Sequence, residues 1–249
     1  MCAAPISDRQ ARHLSLADFG PGGVRRLAKG RALIIGVGGT GCSAAQALGA
    51  SGIGELVLND FDRIDASNLS RQILFSQSQL GELKVDAAAA RLRDQNPALS
   101  VDTIPTRLDA TSLRAAMQDA DVVLDCSDNF ATRFAINAAC VATGTALVSG
   151  SAIRWEGQLA VFGPDYTEGA CYRCIYSDDD ESLDDCAGAG VLATLPGSIG
   201  QMMASEAIKT ITGIGKPSSF VMYDARLGAW QTLNVNKRPD CPVCQPQRD

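Results

Sequence analysis

The stretch Ala32-Leu-Ile-Ile-Gly-Val-Gly-Gly-Thr-Gly-Cys42 decides the fold of this chain. An apolar run over residues 32–37 predicts a strand, and the Ala-rich segment over 42–48 predicts the helix that follows it. The glycines between them let the backbone turn tightly and approach a phosphate, whose charge then meets a helix N-terminus. This order of strand, loop and helix predicts a nucleotide site. The glycines that we expect near the nucleotide are Gly38, Gly39 and Gly41.

Strand-like and helix-like segments alternate from residue 31 to about residue 150. Short apolar runs predict the strands, and Ala-rich or amphipathic segments predict the helices. The further predicted strands are 56–60, 101–104, 122–125 and 146–149, and the further helices are 85–95, 113–118 and 129–142. Such βαβ alternation predicts an α/β fold with a mostly parallel, doubly wound, Rossmann-like sheet.

The pattern changes after Gly150. Residues 158–162, 220–224 and 230–235 have the character of strands, with a single helix predicted at 197–212. Consecutive strands of this kind favour antiparallel pairing that extends the sheet. We therefore expect one domain over residues 1–249, with a nucleotide-binding half at about 31–150 and a second half at about 151–249.

The bulk composition is that of an ordinary globular protein. The chain has 249 residues, of which 46% are hydrophobic and 20% are charged. Its formal net charge of −6 disfavours binding to nucleic acid or to an anionic membrane. No apolar run approaches the length of a membrane span, and residues 1–20 lack the order of a signal peptide. We therefore expect a cytoplasmic protein.

A carboxylate ends the second predicted strand. Asp60 lies 19 residues after Gly41, where an acidic side chain can accept hydrogen bonds from both hydroxyls of a ribose. An NAD-dependent oxidoreductase with a Rossmann fold is the main alternative that this feature leaves open. Such an enzyme needs a nicotinamide pocket and acid–base residues in the second half of the chain, whereas the single histidine, His13, precedes the whole predicted fold.

A set of polar residues lies where open α/β sheets bind ligands, beyond the carboxyl ends of the predicted strands. Arg and Lys can neutralise charge on phosphates, and a carboxylate can hold Mg²⁺ directly or through water. Their common placement beside a glycine loop predicts a triphosphate site. The residues are Asn68, Arg71, Lys84, Asp128 and Asn129.

Four of the nine cysteines form two CxxC pairs, Cys171-Tyr-Arg-Cys174 and Cys241-Pro-Val-Cys244. Two such pairs can complete a Cys₄ zinc site, although the gap between them is longer than in small zinc ribbons. The alternatives are a redox CxxC, which usually opens a helix in a thioredoxin-like context, and buried free thiols. A metal with four protein ligands has no open position and would anchor the C-terminal tail.

Several motifs occur in the order seen in ThiF and MoeB, the bacterial relatives of ubiquitin-activating enzymes, and the chain resembles that family over about residues 9–244. The glycine loop, Ser151-Ala-Ile-Arg-Trp-Glu-Gly-Gln158 and the cysteine pairs all resemble the family. The other matching motifs are Asp60-Phe-Asp62, Ser67-Asn-Leu-Ser-Arg-Gln72, Gly81-Glu-Leu-Lys84 and Asp125-Cys-Ser-Asp-Asn129.

The resemblance implies ATP-dependent adenylation of the C-terminal glycine carboxylate of a small ubiquitin-like sulfur-carrier protein that ends in Gly-Gly. It places the glycine loop near the phosphates and Asp60 on the ribose. It places Asn68, Arg71 and Lys84 on the phosphates and Asp128 on Mg²⁺. It also implies that residues 151–249 bind the carrier and Zn²⁺. A non-enzymatic scaffold with a degenerate site would lack Arg71, Lys84 or Asp128, and all three are present.

Two further residues take roles from the resemblance alone. The family is homodimeric, and Arg12 aligns best with an arginine that reaches into the ATP site of the neighbouring subunit. Cys186 aligns with a cysteine that, in thiamin-type members, can bond covalently to the carrier during sulfur transfer, and that molybdopterin-type members do not need for adenylation. The acidic neighbours Asp184 and Asp185 disfavour its thiolate. A sulfurtransferase or cysteine desulfurase is implied as the sulfur source, and the choice between a thiamin, a molybdopterin or another carrier stays open.

Overall fold

The strands form a single sheet in a computed structural model that describes residues 8–176, 190–215 and 219–245. The strands are β1 (Arg31–Ile35), β2 (Glu55–Asn59), β3 (Ser100–Ile104), β4 (Val122–Asp125), β5 (Ala146–Ile153), β6 (Glu156–Phe162), β7 (Ser219–Asp224) and β8 (Ala229–Leu233). Their order across the sheet is β3-β2-β1-β4-β5-β6-β7-β8. Strands β1 to β5 pair in parallel, and β6, β7 and β8 are each added antiparallel. This confirms the predicted Rossmann-like sheet with an antiparallel extension.

The described part of the chain has seven α-helices, of which the third to the sixth connect the parallel strands. They are α1 (Ala11–Leu14), α2 (Gly20–Leu27), α3 (Gly39–Ser51), α4 (Lys84–Gln95), α5 (Ala110–Met117), α6 (Phe130–Thr143) and α7 (Leu195–Thr212). Asn129 caps α6, because its Oδ1 accepts a hydrogen bond from the Thr132 N–H at 2.9 Å. Gly144 ends the same helix in the left-handed conformation. In the parts of the chain described above, no helix combines the length and apolar character that crossing a membrane requires.

Alternate residues of the strands face two separate cores. From β1, Ala32 and Ile34 pack into the first core, whereas Leu33 and Ile35 pack into the second. The first core lies against α3, α4 and α7, and the second against α5, α6 and the segment with the cysteine pairs. First-core residues from those helices include Leu48, Val85, Leu92, Ile199 and Met203. Their second-core counterparts include Met117, Ile136, Cys171 and Cys241.

The strand order places the ligand-binding crevice. β1 and β4 are neighbours in the sheet, and the chain leaves the carboxyl end of β1 toward β2 on one side but that of β4 toward β5 on the other. An open α/β sheet binds ligands at such a switch point. The first predicted strand ends earlier than expected, at Ile35, because Gly36 already has a left-handed φ of 90°. The glycine loop therefore begins directly at the crevice.

Candidate functional site

A cavity of about 690 Å³ opens at the carboxyl ends of β1, β2 and β4. Its wall brings together the polar residues that the sequence places on separate loops, and no histidine contributes to it in the described part of the chain. The predicted residues that line it are Gly38, Gly39, Asp60, Asn68, Arg71, Lys84, Asp128 and Asn129. This volume lies in the range of small-molecule sites.

The glycine loop combines one close backbone approach with one open position. A Cβ on Gly41 would lie 1.9 Å from the carbonyl oxygen of Gly36, so the start of α3 can pack against β1 only without a side chain. Gly38 differs, because the nearest atom to an added Cβ is Gln72 Nε2 at 3.9 Å. Gly41 therefore serves packing, although it was predicted near the nucleotide, while Gly38 faces the cavity and leaves it room at a helix N-terminus.

Asp60 follows β2 and is only 8% exposed. Its Oδ2 accepts a hydrogen bond from the Val37 N–H at 2.8 Å, and its Oδ1 accepts one from the Asp62 N–H at 2.9 Å. Burial raises the pKa of the Asp60 carboxyl, while the charge of Lys84 acts in the opposite direction. Asp60 thus ties the glycine loop to the end of β2, and its remaining lone pairs leave the predicted ribose contact open to it.

Lys84 is the first residue of α4 and is 6% exposed. Its Nζ lies 2.9 Å from Asp62 Oδ2, and its backbone N–H donates to the Asp62 carbonyl oxygen at 3.0 Å. The Asp62 side chain is itself 55% exposed. The Lys84 ammonium therefore forms a buried part of the cavity wall and is paired with the hydrated carboxylate of Asp62. Because the ammonium is already paired, it is not an isolated buried charge before a phosphate binds.

After β2, Asn68 ends a short 3₁₀ turn, Ala66–Asn68, and Arg71 follows it in the chain. Asp65 caps the turn, because its Oδ1 accepts a hydrogen bond from the Ser67 N–H at 2.8 Å. Asn68 Oδ1 accepts a bond from the Asp65 N–H at 3.3 Å, and Arg71 Nη1 donates to the Ser67 carbonyl oxygen at 2.9 Å. Both side chains line the cavity while partnered by residues close to them in the chain. Asn68 and Arg71 can therefore exchange these local hydrogen bonds for hydrogen bonds to a bound ligand.

The loop after β4 carries Asp128. Asp125, which is completely buried, accepts hydrogen bonds at Oδ1 from the Ser127 N–H at 3.0 Å and the Ser127 hydroxyl at 2.6 Å. Its Oδ2 accepts one from the Ser149 hydroxyl at 3.0 Å. Asp128 is exposed to the cavity, where its Oδ1 accepts a bond from Asn129 Nδ2 at 3.2 Å. A rigid carboxylate anchor thus supports a second carboxylate that is free to meet a cation.

Arg107 also lines the cavity, a cation that the sequence pattern did not predict. Its guanidinium lies 4.4 Å from the centroid of the Phe61 ring. Asn59 Nδ2 fixes the loop before it by donating to the carbonyl oxygens of Ile104 and Thr106, both at 2.8 Å. The strand-end rule could have found it, because Arg107 follows β3 at the same edge of the sheet. Other cavity residues that were not predicted include Gln72, Ser127, Ser151 and Pro196.

Like Gly41, one further predicted residue of the nucleotide site does not line this cavity. Arg12 lies in the short helix α1, is exposed, and does not line the cavity of its own chain. Cys186 falls outside the described residues. A different thiol, Cys126, lines the cavity, and burial raises its pKa well above the usual thiol value. The cavity itself therefore offers a poor thiolate nucleophile.

The four CxxC cysteines come together away from the cavity. Their sulfurs lie within 4.8 Å of one another, with Cys171 to Cys241 at 3.7 Å and Cys174 to Cys244 at 3.5 Å. Tetrahedral zinc with Zn–S bonds of about 2.3 Å would place its sulfurs about 3.8 Å apart. Hydrogen bonds from the Cys171 thiol and from the Arg238 N–H lower the pKa of Cys174 below the usual thiol value. The group, called here the Cys₄ cluster, could hold a metal ion.

Comparison with known proteins finds relatives that match nearly the whole chain. The chain matches the ThiF family model over residues 10–243. It is 42% identical to the molybdopterin-synthase adenylyltransferase of Escherichia coli (strain K12), over 97% of this chain and 99% of that protein. It is 40% identical to the sulfur carrier protein ThiS adenylyltransferase of the same organism, over 95% and 94%. The crystal structure of E. coli MccB with ATP covers 97% of this chain and 75% of that one, with a TM-score of 0.84 at 23% identity, which shows likeness of fold.

Proposed function

The chain belongs to the ThiF family, and from that membership we propose that it is an ATP-dependent adenylyltransferase acting on the C-terminal glycine carboxylate of a small ubiquitin-like sulfur-carrier protein. Two relatives that cover nearly the whole chain are named as a molybdopterin-synthase adenylyltransferase and a sulfur carrier protein ThiS adenylyltransferase. The observation that carries the proposal is the single cavity that gathers Lys84, Arg71 and Asp128 beside the glycine loop.

The proposed reaction needs positioning and charge stabilisation rather than a side-chain nucleophile. A carboxylate oxygen of the carrier attacks the α-phosphorus of ATP. The bond from that phosphorus to the bridging oxygen breaks, and pyrophosphate leaves with the electron pair. Asn68, Arg71 and Lys84 would bind the phosphates and stabilise the charge on the leaving group, and Asp60 would orient the ribose. Asp128 would hold Mg²⁺, which supplies further charge neutralisation when bound.

The NAD-dependent alternative finds less support in the cavity. No histidine lines the described cavity, and the pKa of its thiol, Cys126, is raised, so a general acid or base for hydride transfer would have to come from a carboxylate or from Lys84. The polar side chains of the cavity are instead cations and carboxylates suited to a metal-bound triphosphate. Binding of NAD in preference to ATP would favour the oxidoreductase.

The Cys₄ cluster is proposed to bind zinc in a structural role. The donor set is four sulfurs, which suits Zn²⁺, and the distances between them match tetrahedral coordination. The four cysteines would be deprotonated when the metal is bound and would leave it no open position. A metal held in this way tethers the segment around Cys241 and Cys244 to the second core.

Arg12 is proposed to act in the ATP site of a partner subunit of a homodimer. Its exposure, and its absence from the cavity of its own chain, fit that placement. Mixing two inactive variants, Arg12→Ala and Lys84→Ala, tests it. Random exchange of subunits in a two-fold dimer should restore about one quarter of the wild-type sites. If the mixture stays inactive after verified subunit exchange, Arg12 does not act across the interface.

The antiparallel half of the chain is proposed to bind the carrier. β8 is an edge strand whose residues are all exposed, and Trp230 on it stacks on Tyr223 with ring centroids 4.0 Å apart. Leu227 is 75% exposed beside them. An exposed aromatic and aliphatic surface beside a free strand edge suits a small folded protein partner.

Sulfur delivery is proposed to require another protein, a sulfurtransferase or a cysteine desulfurase. The acyl-adenylate needs a sulfur nucleophile to displace AMP, and Cys126 in the cavity is a poor one because its pKa is raised. Cys186 stays a candidate for a covalent bond to the carrier. Replacement of Cys186 by Ser should leave ATP–pyrophosphate exchange unchanged and abolish only a carrier-linked intermediate, which mass spectrometry of the trapped complex would detect.

The decisive experiment is ATP–pyrophosphate exchange with purified thiamin-type and molybdopterin-type carriers. Near-equal identity to relatives of both pathways does not choose between them, so both carriers are needed. Exchange that depends on a carrier ending in Gly-Gly supports the proposal, and a carrier with its last glycine removed is the control. Absence of exchange with every such carrier, from folded protein that binds ATP, would refute it.

A further inference from the structure

Helix α6 has one end at the cavity and one face against the Cys₄ cluster. It begins after Asn129, which lines the cavity. Arg133 and Asn137 lie four residues apart and so project from the same face of the helix. Both are polar and buried, at 5% and 0% exposure. Buried polar side chains are stable only when their hydrogen bonds are satisfied, so their partners show what they hold.

Asn137 bonds to the first cysteine pair on both sides of its amide group. Its Nδ2 donates to Cys171 Sγ at 3.5 Å, and its Oδ1 accepts from the Tyr172 N–H at 2.8 Å. A donor to a coordinating sulfur gains strength when that sulfur becomes a thiolate on a metal. The strength of the hydrogen bond from Asn137 to Cys171 therefore depends on both the position and the charge of the sulfur.

Arg133 connects the same cysteine pair to the cavity loop. Its Nη2 donates to the Ser127 carbonyl oxygen, and the guanidinium also hydrogen-bonds to the Tyr172 side chain. Tyr172 lies between Cys171 and Cys174 and is 3% exposed. One residue of the cysteine pair thus contacts α6 twice, through its backbone at Asn137 and through its hydroxyl at Arg133.

We propose that Asn137 and Arg133 are positioning residues that couple the Cys₄ cluster to the loop at residues 125–129, so that a metal in the cluster rigidifies the loop that carries Asp128. Without the metal, Tyr172 loses its fixed place and the bond from Arg133 to Ser127 loosens. The coupling rests on the proposed metal and nucleotide sites, yet it acts within the protein before any substrate binds.

Hydrogen exchange of the full-length chain tests the coupling without substrate. In the zinc-loaded wild type, amides of residues 125–134 should exchange about tenfold more slowly than after removal of zinc by a chelator. In Tyr172→Phe, which keeps the ring packing and all four cysteines, metal removal should change these amides by less than about twofold. Tyr166→Phe is the matched control, because its hydroxyl donates instead to the Thr145 carbonyl oxygen at 2.9 Å, and it should behave like the wild type.

Metal affinity gives a second measurement. Asn137→Leu removes the bond to Cys171 while it keeps the volume of the side chain, and its zinc dissociation constant in chelator competition should rise about tenfold. If metal removal leaves residues 125–134 unchanged in the wild type, or if Tyr172→Phe retains the full effect, the coupling is wrong even though adenylation holds. A wild type that protects the loop on zinc binding but gives no exchange with any carrier would sink the proposed function and leave the coupling in place.

Discussion

The nucleotide cavity and the Cys₄ cluster are two polar sites built in opposite ways. The cavity encloses about 690 Å³, and its charged side chains have local partners, as Lys84 has in Asp62 at 2.9 Å. The cluster has room for no more than one ion, because its four sulfurs lie within 4.8 Å of one another in the second core. In a site that a small molecule enters and leaves, the side chains keep local partners that they can exchange for that molecule. In a site for a permanent ion, the cysteine sulfurs are positioned for coordination of the ion.

Lys84→Ala should give the largest effect and confine it to the cavity. Loss of a buried cation that stabilises charge on the leaving pyrophosphate should lower ATP–pyrophosphate exchange by about 10²- to 10³-fold. The free energy of unfolding should change little, because the remaining carboxylate of Asp62 is 55% exposed and stays hydrated. Zinc content should be unchanged. Exchange is measured together with thermal unfolding and metal analysis.

The matched control for Lys84 is Lys209→Ala. Lys209 pairs with Glu206 at 2.7 Å on α7, away from the cavity wall, and is partly exposed. It should retain wild-type exchange, since an exposed pair of this kind contributes little. Equal losses in the two variants would mean that the effect is one of net charge and would remove Lys84 from its proposed role.

Substitution of two glycines in the glycine loop should have different effects, one on packing and the other on ligand binding. Gly41→Ala brings a Cβ to 1.9 Å from a backbone oxygen and should lower the free energy of unfolding by about 3 kcal/mol. Gly38→Ala has open space and should cost only about 0.5 kcal/mol of stability. Because its methyl group projects into the cavity, it should still weaken ATP binding about tenfold. Chemical denaturation and ATP titration of both variants check this, and loss of stability in Gly38→Ala would contradict the geometry.

The sequence predicted the residues that line the cavity more completely than the contacts that hold those residues in place. The glycine loop, Asp60 and Asp128 follow strands, and parallel strands bring their carboxyl ends to one edge whatever the details of packing. The pairing of Lys84 with Asp62 depends instead on the path of the loop between them, which residue spacing does not fix. Helix α2 was not predicted because its Gly- and Pro-rich start disfavours a helix. Burial of Val24 and Leu27 in the first core outweighs that preference.

For the Cys₄ cluster, the sequence predicted the metal ligands but not the residue that supports them. The spacing within each CxxC pair predicts that both pairs ligate a metal, and the sulfur distances agree. Asn137, which supports the cluster, lies in a helix more than thirty residues away in sequence. Nothing in an amphipathic helix marks one buried amide as the partner of a distant thiol, because that contact is created by the packing of α6 on the second core.

Cys174→Ser tests whether the cluster is closed and structural. It should remove the metal and lower the free energy of unfolding by about 2 kcal/mol, since the segment around Cys241 loses its tether. Cys140→Ser is the matched control, because Cys140 is a buried thiol of the same core outside the cluster. It should be destabilised yet keep its zinc and keep its response to a chelator. Zinc analysis that finds equal metal in both variants would end the assignment.

Trp230→Ala should give the smallest effect on catalysis and should alter neither the nucleotide cavity nor the Cys₄ cluster. Trp230 is 50% exposed on the edge strand β8, so its removal should leave stability, zinc and ATP binding nearly unchanged. Loss of an aromatic anchor should raise the KM for the carrier about tenfold with kcat retained. Leu80→Ala, at an apolar side chain 39% exposed before α4, is the control and should not alter the carrier KM. A fall in kcat with an unchanged KM would instead place Trp230 in communication with the cavity, and the carrier would then have to dock on another face of the sheet.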